Sequence, residues 1–197
     1  MRRIILLITA AALMALMMTV MSAPAFATPL GVSTESRTAN DGGEMQMAAI
    51  DEFDKVLRQW PAAVDEFQKG NPRPTQELFS HRHDVSLANP LGPAAPGIGP
   101  VAHGWEQVVQ TQEHAASQVR DGEPASVEIV EKHVTPELAY VVLIERAKAK
   151  IGGREEVAPL ALRATMILRP EDGTWKIVHR HADPITTAQA AESLIQE

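Results

Sequence analysis

Residues 125–183 read ASVEIVEKHVTPELAYVVLIERAKAKIGGREEVAPLALRATMILRPEDGTWKIVHRHAD. β-Branched and other apolar residues dominate this segment, and turn-forming residues interrupt it at Thr135-Pro136, Gly152-Gly153 and Pro170 to Gly173. Apolar runs bounded by glycine and proline are typical of β-strands joined by hairpins. The segment therefore predicts four successive antiparallel strands, at about Ala125 to Val134, Ala139 to Ile151, Glu155 to Arg169 and Thr174 to Asp183.

Upstream of these strands the sequence has the periodicity of helices. Apolar residues from Ile50 to Phe67 recur three or four positions apart, as on one face of an amphipathic helix, and Pro61 is expected to kink it. A short helical turn around Thr75 to Phe79, a short strand from Asp84 to Ala88 and a second amphipathic helix from Trp105 to Val119 follow. Helices followed by a meander of strands predict an α+β domain, in which the helices pack on a curved, mostly antiparallel sheet.

Composition narrows the class of protein. The chain has 197 residues, with 25 acidic against 18 basic side chains and a formal net charge of −7. This balance disfavours a nucleic-acid-binding protein, because phosphate contacts need clustered lysine and arginine. The absence of cysteine excludes disulfides, thiolate zinc sites and cysteine nucleophiles. Any chemistry must therefore come from histidine, carboxylates, arginine, tyrosine or a bound metal.

The N-terminus has the pattern of a secretory signal peptide. Arg2 and Arg3 precede an uncharged apolar run from Ile4 to Val20, and Ala25 and Ala27 suit a peptidase that cleaves after Ala27. An uncleaved membrane anchor is the alternative, since the run is nearly long enough to span a bilayer. The predicted organisation is a signal peptide over 1–27, a disordered leader over 28–48, the domain over 49–185, and a C-terminal tail or short helix over 186–197. The mature protein is expected to be secreted or periplasmic.

Five segments of the domain form a recognisable set: Leu78 to Val85 (LFSHRHDV), Pro90 to Pro93, Gly104 to Val108, Leu162 to Thr165, and Asp172 to Asp183 (DGTWKIVHRHAD). Their order and spacing together resemble the SnoaL-like, ketosteroid-isomerase-like branch of the nuclear-transport-factor-2-like superfamily. The resemblance implies a cone-shaped α+β roll, usually dimeric, with a pocket between the sheet and the helices. Similar proteins include isomerases, cyclases, dehydratases and pure binding domains, so the resemblance does not imply one reaction.

The hairpin registers decide which side chains share a face of the sheet. If Gly152-Gly153 is a two-residue turn, Tyr140 lies opposite Thr165, and if residues 170–174 form a five-residue loop, Arg163 lies opposite His181. Both registers collect polar groups on one face, the predicted pocket lining: Tyr140, Arg163, Thr165, His179, His181 and Asp183. The other face carries Leu143, Leu162, Met166 and Val178, together with Glu145 and Arg180, and is predicted to form a homodimer contact. A slip of one residue would exchange the two faces.

Two functions are compatible with this lining. In an enzyme of the ketosteroid isomerase type, a carboxylate moves a proton beside a carbonyl while a donor holds the oxyanion. The candidate catalytic residues are Asp84, His179 and Asp183, and the candidate ligand-binding residues are Tyr140, Arg163, Thr165 and His181. Alternatively, the same groups bind a small anionic or carbonyl-bearing apolar molecule without catalysis. A structural alternative also stands, in which Arg163 pairs with Asp183 or Glu145.

No cofactor is expected, and no metal. The pairs His81/His83 and His179/His181 have the two-residue spacing that places imidazoles on one face of a strand, so a four-nitrogen metal site is an alternative. Against it, His81 is predicted at a helix end. The expected partners are a small molecule and a second copy of the chain. Neither nucleic acid nor stable membrane insertion after signal cleavage is expected.

Overall fold

The computed structural model describes residues 35–91 and 97–187, in which the chain forms three helices and seven strands. The helices are α1 (Glu35–Phe67), α2 (Arg73–Leu78) and α3 (Gly104–Ser117). The strands are β1 (Ser86–Ala88), β2 (Ala102–His103), β3 (Val119–Arg120), β4 (Ser126–Val134), β5 (Ala139–Ile151), β6 (Val157–Glu171) and β7 (Thr174–Pro184). All belong to one compact unit that begins at Glu35. None of these helices has the length and apolar character of a membrane span.

The strands form one mixed sheet that curls strongly into a half-barrel. Its order is β2-β1-β7-β6-β5-β3, and β4 also pairs with β5. The pair of β1 with β7 is parallel, and the other strand pairs are antiparallel. Bulges interrupt the β4–β5 register at Ile129/Glu131 and the β6–β7 register at Ile167/Leu168. Because a bulge bends the strand and increases its twist, these two positions help to curl the sheet around the helices.

The predicted α+β class and the four long strands are confirmed. β5 has the predicted bounds, and the bounds of β4, β6 and β7 differ from prediction by at most two residues. β2 and β3 were not predicted, because two residues carry no recognisable alternation. The predicted strand from Asp84 is shorter, since β1 begins at Ser86.

The predicted disordered leader is wrong from Glu35 onward. α1 begins at Glu35 and continues through Pro61 to Phe67. Extending an existing helix is much easier than nucleating one, so the packed turns after residue 49 can propagate toward the N-terminus. The side-chain amide of Gln46 also donates to the carbonyl of Val134 at 2.6 Å, which ties the extension to β4. The predicted signal peptide, the leader up to residue 34 and the tail from residue 188 lie outside the described residues.

The helices cover the face of the sheet that carries Val141, Leu143 and Met166, and each of these side chains is fully buried. We call this the inner face. The assignment of the pocket to the opposite face is therefore wrong, and so is the homodimer contact predicted through Leu143, Leu162, Met166 and Val178. The physical reason is that Phe53 and the other apolar residues of α1 must be buried, and the more apolar face of the sheet buries the larger apolar area.

The opposite, outer face carries the set predicted to line the pocket. The predicted register is shifted by two residues, so that Tyr140 lies opposite Ile167 and Arg163 lies opposite Asp183. The second hairpin closes on Asp172-Gly173, whose φ values of 50° and 81° fit a two-residue turn with both residues in the left-handed region, not a five-residue loop. Because a shift of two residues preserves the face, the predicted set still shares one side of the sheet.

Candidate functional site

A cavity of about 270 Å³ lies between the helices and the inner face. Its walls are mostly apolar, with Val64 and Phe67 from α1, Ala115 from α3, and Leu87 and Leu162 from the sheet. The volume equals that of roughly nine molecules of liquid water, which is room for an organic molecule of one or two rings. An apolar cavity with a few polar groups is the usual form of a small-ligand site.

One group of polar side chains in this cavity consists of Trp60, Glu145 and Arg180. Arg180 Nη2 donates to Glu145 Oε2 at 2.8 Å, and Trp60 Nε1 donates to Glu145 Oε1 at 2.9 Å. The guanidinium lies over the Trp60 ring, 5.6 Å from its centroid. Both members of the ion pair are buried, with side-chain exposures of 9% for Arg180 and 5% for Glu145. We call these three residues the charged pole of the cavity.

The charged pole has one open hydrogen-bonding position. Arg180 Nε is buried and has no hydrogen-bond partner among the described residues. The carboxylate, in contrast, accepts a donor on each of its oxygens. A buried N–H without an acceptor is costly, about 1–3 kcal/mol, so this position suits an acceptor atom of a ligand.

A second polar group, the amide pole, lies in the same cavity and consists of Gln68, Thr75 and Gln112. All three residues are buried, with exposures of 3–6%. The Thr75 hydroxyl donates to the Pro72 carbonyl at 2.7 Å and lies 3.5 Å from Gln112 Oε1. Gln68 Oε1 has no hydrogen-bond partner within the described parts of the chain. Leaving such an amide oxygen without a donor also costs about 1–3 kcal/mol.

None of the predicted site residues lines this cavity. Tyr140, Arg163, Thr165, His179, His181 and Asp183 lie on the outer face. Arg163 makes a two-point ion pair with Asp183 at 2.6 and 3.4 Å, and its side chain is 65% exposed. The structure thus supports the alternative in which Arg163 and Asp183 form a structural pair. Tyr140 donates to Glu131 at 3.0 Å, and this hydrogen bond raises the pKa of the tyrosine.

His179 belongs to a row of polar residues across the outer face. Ser86 of β1 lies between His103 of β2 and His179 of β7, and its hydroxyl is 2.8 Å from His179 Nδ1. The pKa of His179 is lowered, first by burial and then by the neighbouring charges of His181 and His103. The neutral imidazole is therefore favoured at neutral pH, and its Nδ1 can accept a hydrogen bond from the Ser86 hydroxyl.

Asp84 also lies outside the cavity, in an ion-pair network on the loop between α2 and β1. Its carboxylate accepts two hydrogen bonds from the Arg169 guanidinium, at 2.6 and 2.8 Å. Arg169 Nε donates to Glu171 at 2.8 Å, and the buried Ser80 hydroxyl donates to the same carboxylate at 2.9 Å. Asp84 therefore connects this loop to β6 and lies outside the cavity in which a catalytic carboxylate would meet a ligand.

The ion pair gives Asp84 a measurable pH dependence. The hydrogen bond from Arg169 lowers the pKa of Asp84 from 3.8 to about 2. A lowered carboxylate pKa adds stability above pH 4, and this stability is lost as the pH falls toward 2. We expect Asp84→Asn to lower the free energy of unfolding at pH 6 by at most about 1 kcal/mol, because the side chain is 44% exposed and solvent screens the pair.

Urea titrations of wild type and Asp84→Asn from pH 6 to pH 2 measure this difference. It should shrink steadily below pH 4. A difference that stays constant down to pH 2 would show that the ion pair does not set the stability of this loop. Glu77→Gln serves as the control, because it removes an exposed carboxylate of α2.

The two histidine pairs proposed for a metal alternative do not lie on neighbouring strands. His81 and His83 lie on the loop before β1, and the His81 ring stacks on Trp105 with centroids 3.9 Å apart. In residues 35–91 and 97–187, no three histidine, aspartate or glutamate side chains are grouped as ligands for a metal ion.

The residues that do line the cavity had a partial signal in the sequence. Glu145 and Arg180 are charged residues of opposite sign that fall on the apolar face of the predicted strands. Because an isolated buried charge is expensive, two opposite charges on a face that must be buried predict a pair. Nothing comparable indicated Trp60 or Gln68, which lie in an ordinary amphipathic helix and just after its end.

Comparisons with known proteins agree on the fold. The family model of the SnoaL-like domain matches residues 80–186. Similar solved structures include a nuclear transport factor 2-like superfamily protein from Salmonella enterica (TM-score 0.56, 15% identity, covering 74% of this chain and 97% of that one). A ketosteroid isomerase-like protein from Erwinia carotovora has a TM-score of 0.54 and 16% identity, covering 70% of this chain and 96% of that one. A scytalone dehydratase-like protein from Novosphingobium aromaticivorans has a TM-score of 0.54 and 16% identity, covering 73% of this chain and 89% of that one. No curated protein matches the chain. At these identities, the structural likeness concerns the fold alone.

Proposed function

The chain belongs to the SnoaL-like domain family, and from that premise we propose that its cavity binds a compact, largely apolar molecule through a carbonyl oxygen. The observation that carries this proposal is that Arg180 lines the cavity and that its buried Nε has no acceptor among the described residues. A carbonyl oxygen supplies that acceptor. The apolar walls supply the larger part of the binding free energy by removing apolar ligand surface from water.

The charge of the cavity favours a neutral carbonyl over an anion. Arg180 is the one cationic residue among the described lining residues, and Glu145 at 2.8 Å already neutralises it. A bound carboxylate would therefore leave one uncompensated negative charge in a buried, apolar site. Such a charge is unfavourable by several kcal/mol. We therefore select the carbonyl-bearing class from the two classes that the sequence left open.

Binding of 2-tetralone, a bicyclic ketone, tests this proposal against tetralin, which has the same rings and no carbonyl. We expect wild type to bind 2-tetralone at least 10-fold more tightly, because a hydrogen bond from a charged donor contributes about 1.5–3 kcal/mol. The indole N–H signal of Trp60, which lines the cavity, reports binding by nuclear magnetic resonance. Equal affinities for the two compounds would contradict the proposal.

Two variants locate the carbonyl contact. The double variant Glu145→Leu/Arg180→Met removes the whole ion pair without leaving one charge unpaired, and it should bind tetralin and 2-tetralone equally. Arg163→Met removes the exposed arginine of the outer face and is the matched control, which should keep the wild-type preference. A preference lost in Arg163→Met and kept in the double variant would reinstate the outer face as the site.

Proton transfer is the second candidate function, and the position of Glu145 favours it. Glu145 is the one carboxylate among the described lining residues, and its distance from Arg180 places it beside a carbonyl bound at Arg180. In this role it would remove a proton from the carbon next to that carbonyl while Arg180 holds the enolate oxygen. Both oxygens of Glu145 already accept hydrogen bonds from protein groups, so neither is free to take a proton from the ligand, and binding is the better supported function.

Hydrogen–deuterium exchange at the acidic carbon of 2-tetralone separates the two candidates. An enzyme would accelerate the exchange over buffer, and Glu145→Gln would abolish the acceleration. Binding without acceleration in wild type identifies a binding protein.

Export and self-association complete the proposal. The export signal and cleavage after Ala27 rest on the sequence pattern, and the intact mass of the exported protein tests them.

For the homodimer we propose the outer face, where Val142, Ile144 and Ile167 are half-buried apolar residues on the side of the sheet that the helices leave uncovered. Light scattering of wild type and Ile167→Glu tests this contact.

A further inference from the structure

Gln68 is the polar residue of the cavity whose presence the packing does not explain. It is 6% exposed and lines the cavity, and its Oε1 has no partner among the described residues. Thr75 and Gln112, its companions in the amide pole, contact each other, and Thr75 also donates to a backbone carbonyl. An aliphatic side chain at position 68 would fill the same space without a buried amide. The amide therefore indicates a bound group that hydrogen-bonds to it.

The backbone of Gln68 is fixed in place. Its N–H donates to the Val64 carbonyl at 2.9 Å, which continues the hydrogen bonding of α1, and its carbonyl accepts the Gly122 N–H at 3.2 Å. Gly122 comes so close that a Cβ placed on it would lie 2.3 Å from the Cβ of Gln68. The side chain thus starts from a fixed point, as a recognition group needs to do.

The backbones that carry the two poles lie apart along the helix direction. Trp60 of the charged pole belongs to α1, and Gln68 of the amide pole follows eight positions later, with its N–H bonded to the Val64 carbonyl. At a helical rise of 1.5 Å per residue, eight positions correspond to about 12 Å. This rise is comparable with the length of a two-ring molecule that carries polar groups at opposite ends.

We propose that Gln68 recognises a hydroxyl group at the end of the ligand opposite its carbonyl, so that the ligand is a compact hydroxylated ketone. This inference rests on the proposed function, which supplies the carbonyl contact at Arg180. The free amide oxygen requires a donor, which a ketone or an ether lacks and a hydroxyl provides. A hydroxyl also accepts a hydrogen bond, so it can interact with either the oxygen or the NH2 group of a side-chain amide.

The test compares 6-hydroxy-2-tetralone with 6-methoxy-2-tetralone, in which the donor is blocked. Wild type should bind the hydroxy compound about 10-fold more tightly or better, because a site built to hydrogen-bond a hydroxyl rejects the analogue that lacks it. Gln68→Met, which keeps the length of the side chain, should bring the ratio close to one. Gln76→Met is the matched control, because the side-chain amide nitrogen of Gln76 is also buried without a partner among the described residues, and Gln76 does not line the cavity.

The outcomes separate this inference from the proposed function. If 2-tetralone binds but the hydroxyl preference is absent, or persists in Gln68→Met, the role of Gln68 is refuted and the carbonyl contact stands. If wild type binds none of the three tetralones, both proposals fail. The side-chain amide signals of Gln68 in wild type give a second measurement that does not depend on a variant. They should shift with the hydroxy compound and not with the methoxy compound.

Discussion

Glu145→Leu is expected to lower the free energy of unfolding by about 3–5 kcal/mol, because it leaves the buried Arg180 guanidinium without its counter-charge. The carboxylate now accepts from Arg180 at 2.8 Å and from the Trp60 indole at 2.9 Å. Leucine fills a similar volume but accepts neither hydrogen bond. Urea denaturation, followed by tryptophan fluorescence, measures the change.

The double variant Glu145→Leu/Arg180→Met should recover most of this loss. Replacing a whole buried ion pair by apolar residues of similar volume is often neutral or stabilising, whereas removing one partner is not. Glu128→Leu is the control, since its pair with Arg146 is 58% and 51% exposed and contributes at most about 1 kcal/mol. If the single and double variants lose equal stability, the cost comes from packing and not from the unpaired charge.

Glu171→Met is expected to destabilise the protein by about 2–3 kcal/mol, the second largest effect. Its 7%-exposed carboxylate accepts from the fully buried Ser80 hydroxyl at 2.9 Å and from Arg169 Nε at 2.8 Å. The variant leaves the Ser80 hydroxyl buried without its acceptor. Arg169 is 27% exposed and keeps its contact with Asp84, so its charge is partly solvated and adds less.

The effect of Glu171→Met should be local as well as global. Glu171 and Arg169 hold the loop of residues 79–85 against the end of the β6–β7 hairpin, so limited proteolysis should cut the variant in that loop faster than wild type. Asp172→Asn is the control and should be cut no faster than wild type, because the Asp172 side chain is 95% exposed and lies 3.8 Å from Arg82. Equal stabilities of wild type and Glu171→Met would exclude a structural role for the network.

The alternation of residues along the strands predicted which side chains share a face but not which face the helices cover. Tyr140, Arg163 and His181 do share a face, as predicted. Which face of the sheet the helices cover depends on the long-range packing of α1. The apolar stripe of α1, as a local sequence pattern, is compatible with packing on either face. The larger number of apolar residues on the inner face predicts the buried face better, because the packing that buries more apolar area is favoured.

Other features could not be read from the sequence. The bulge between Ile167 and Leu168 pairs Leu168 with Ile177, so Ile177 lies on the inner face, although strict alternation from His179 would place it on the outer face. A bulge has no reliable local signature in a run of apolar residues. The Arg163–Asp183 pair is one of the predicted alternatives, but only the three-dimensional structure shows that it is exposed to solvent and is not part of the cavity lining.

The parallel pairing of β1 with β7 governs the order in which the chain can assemble. Ser86 pairs with His179, 93 positions later, and β2 joins the sheet only through β1. Contacts between such distant positions form late, because the long intervening loop must first be closed. β4, β5 and β6 pair as successive hairpins and can receive α1 earlier, whereas β1 has no strand to pair with on this side until β7 has been synthesised. The wall of the cavity that Leu87 and Arg180 supply is therefore completed only when β1 and β7 pair.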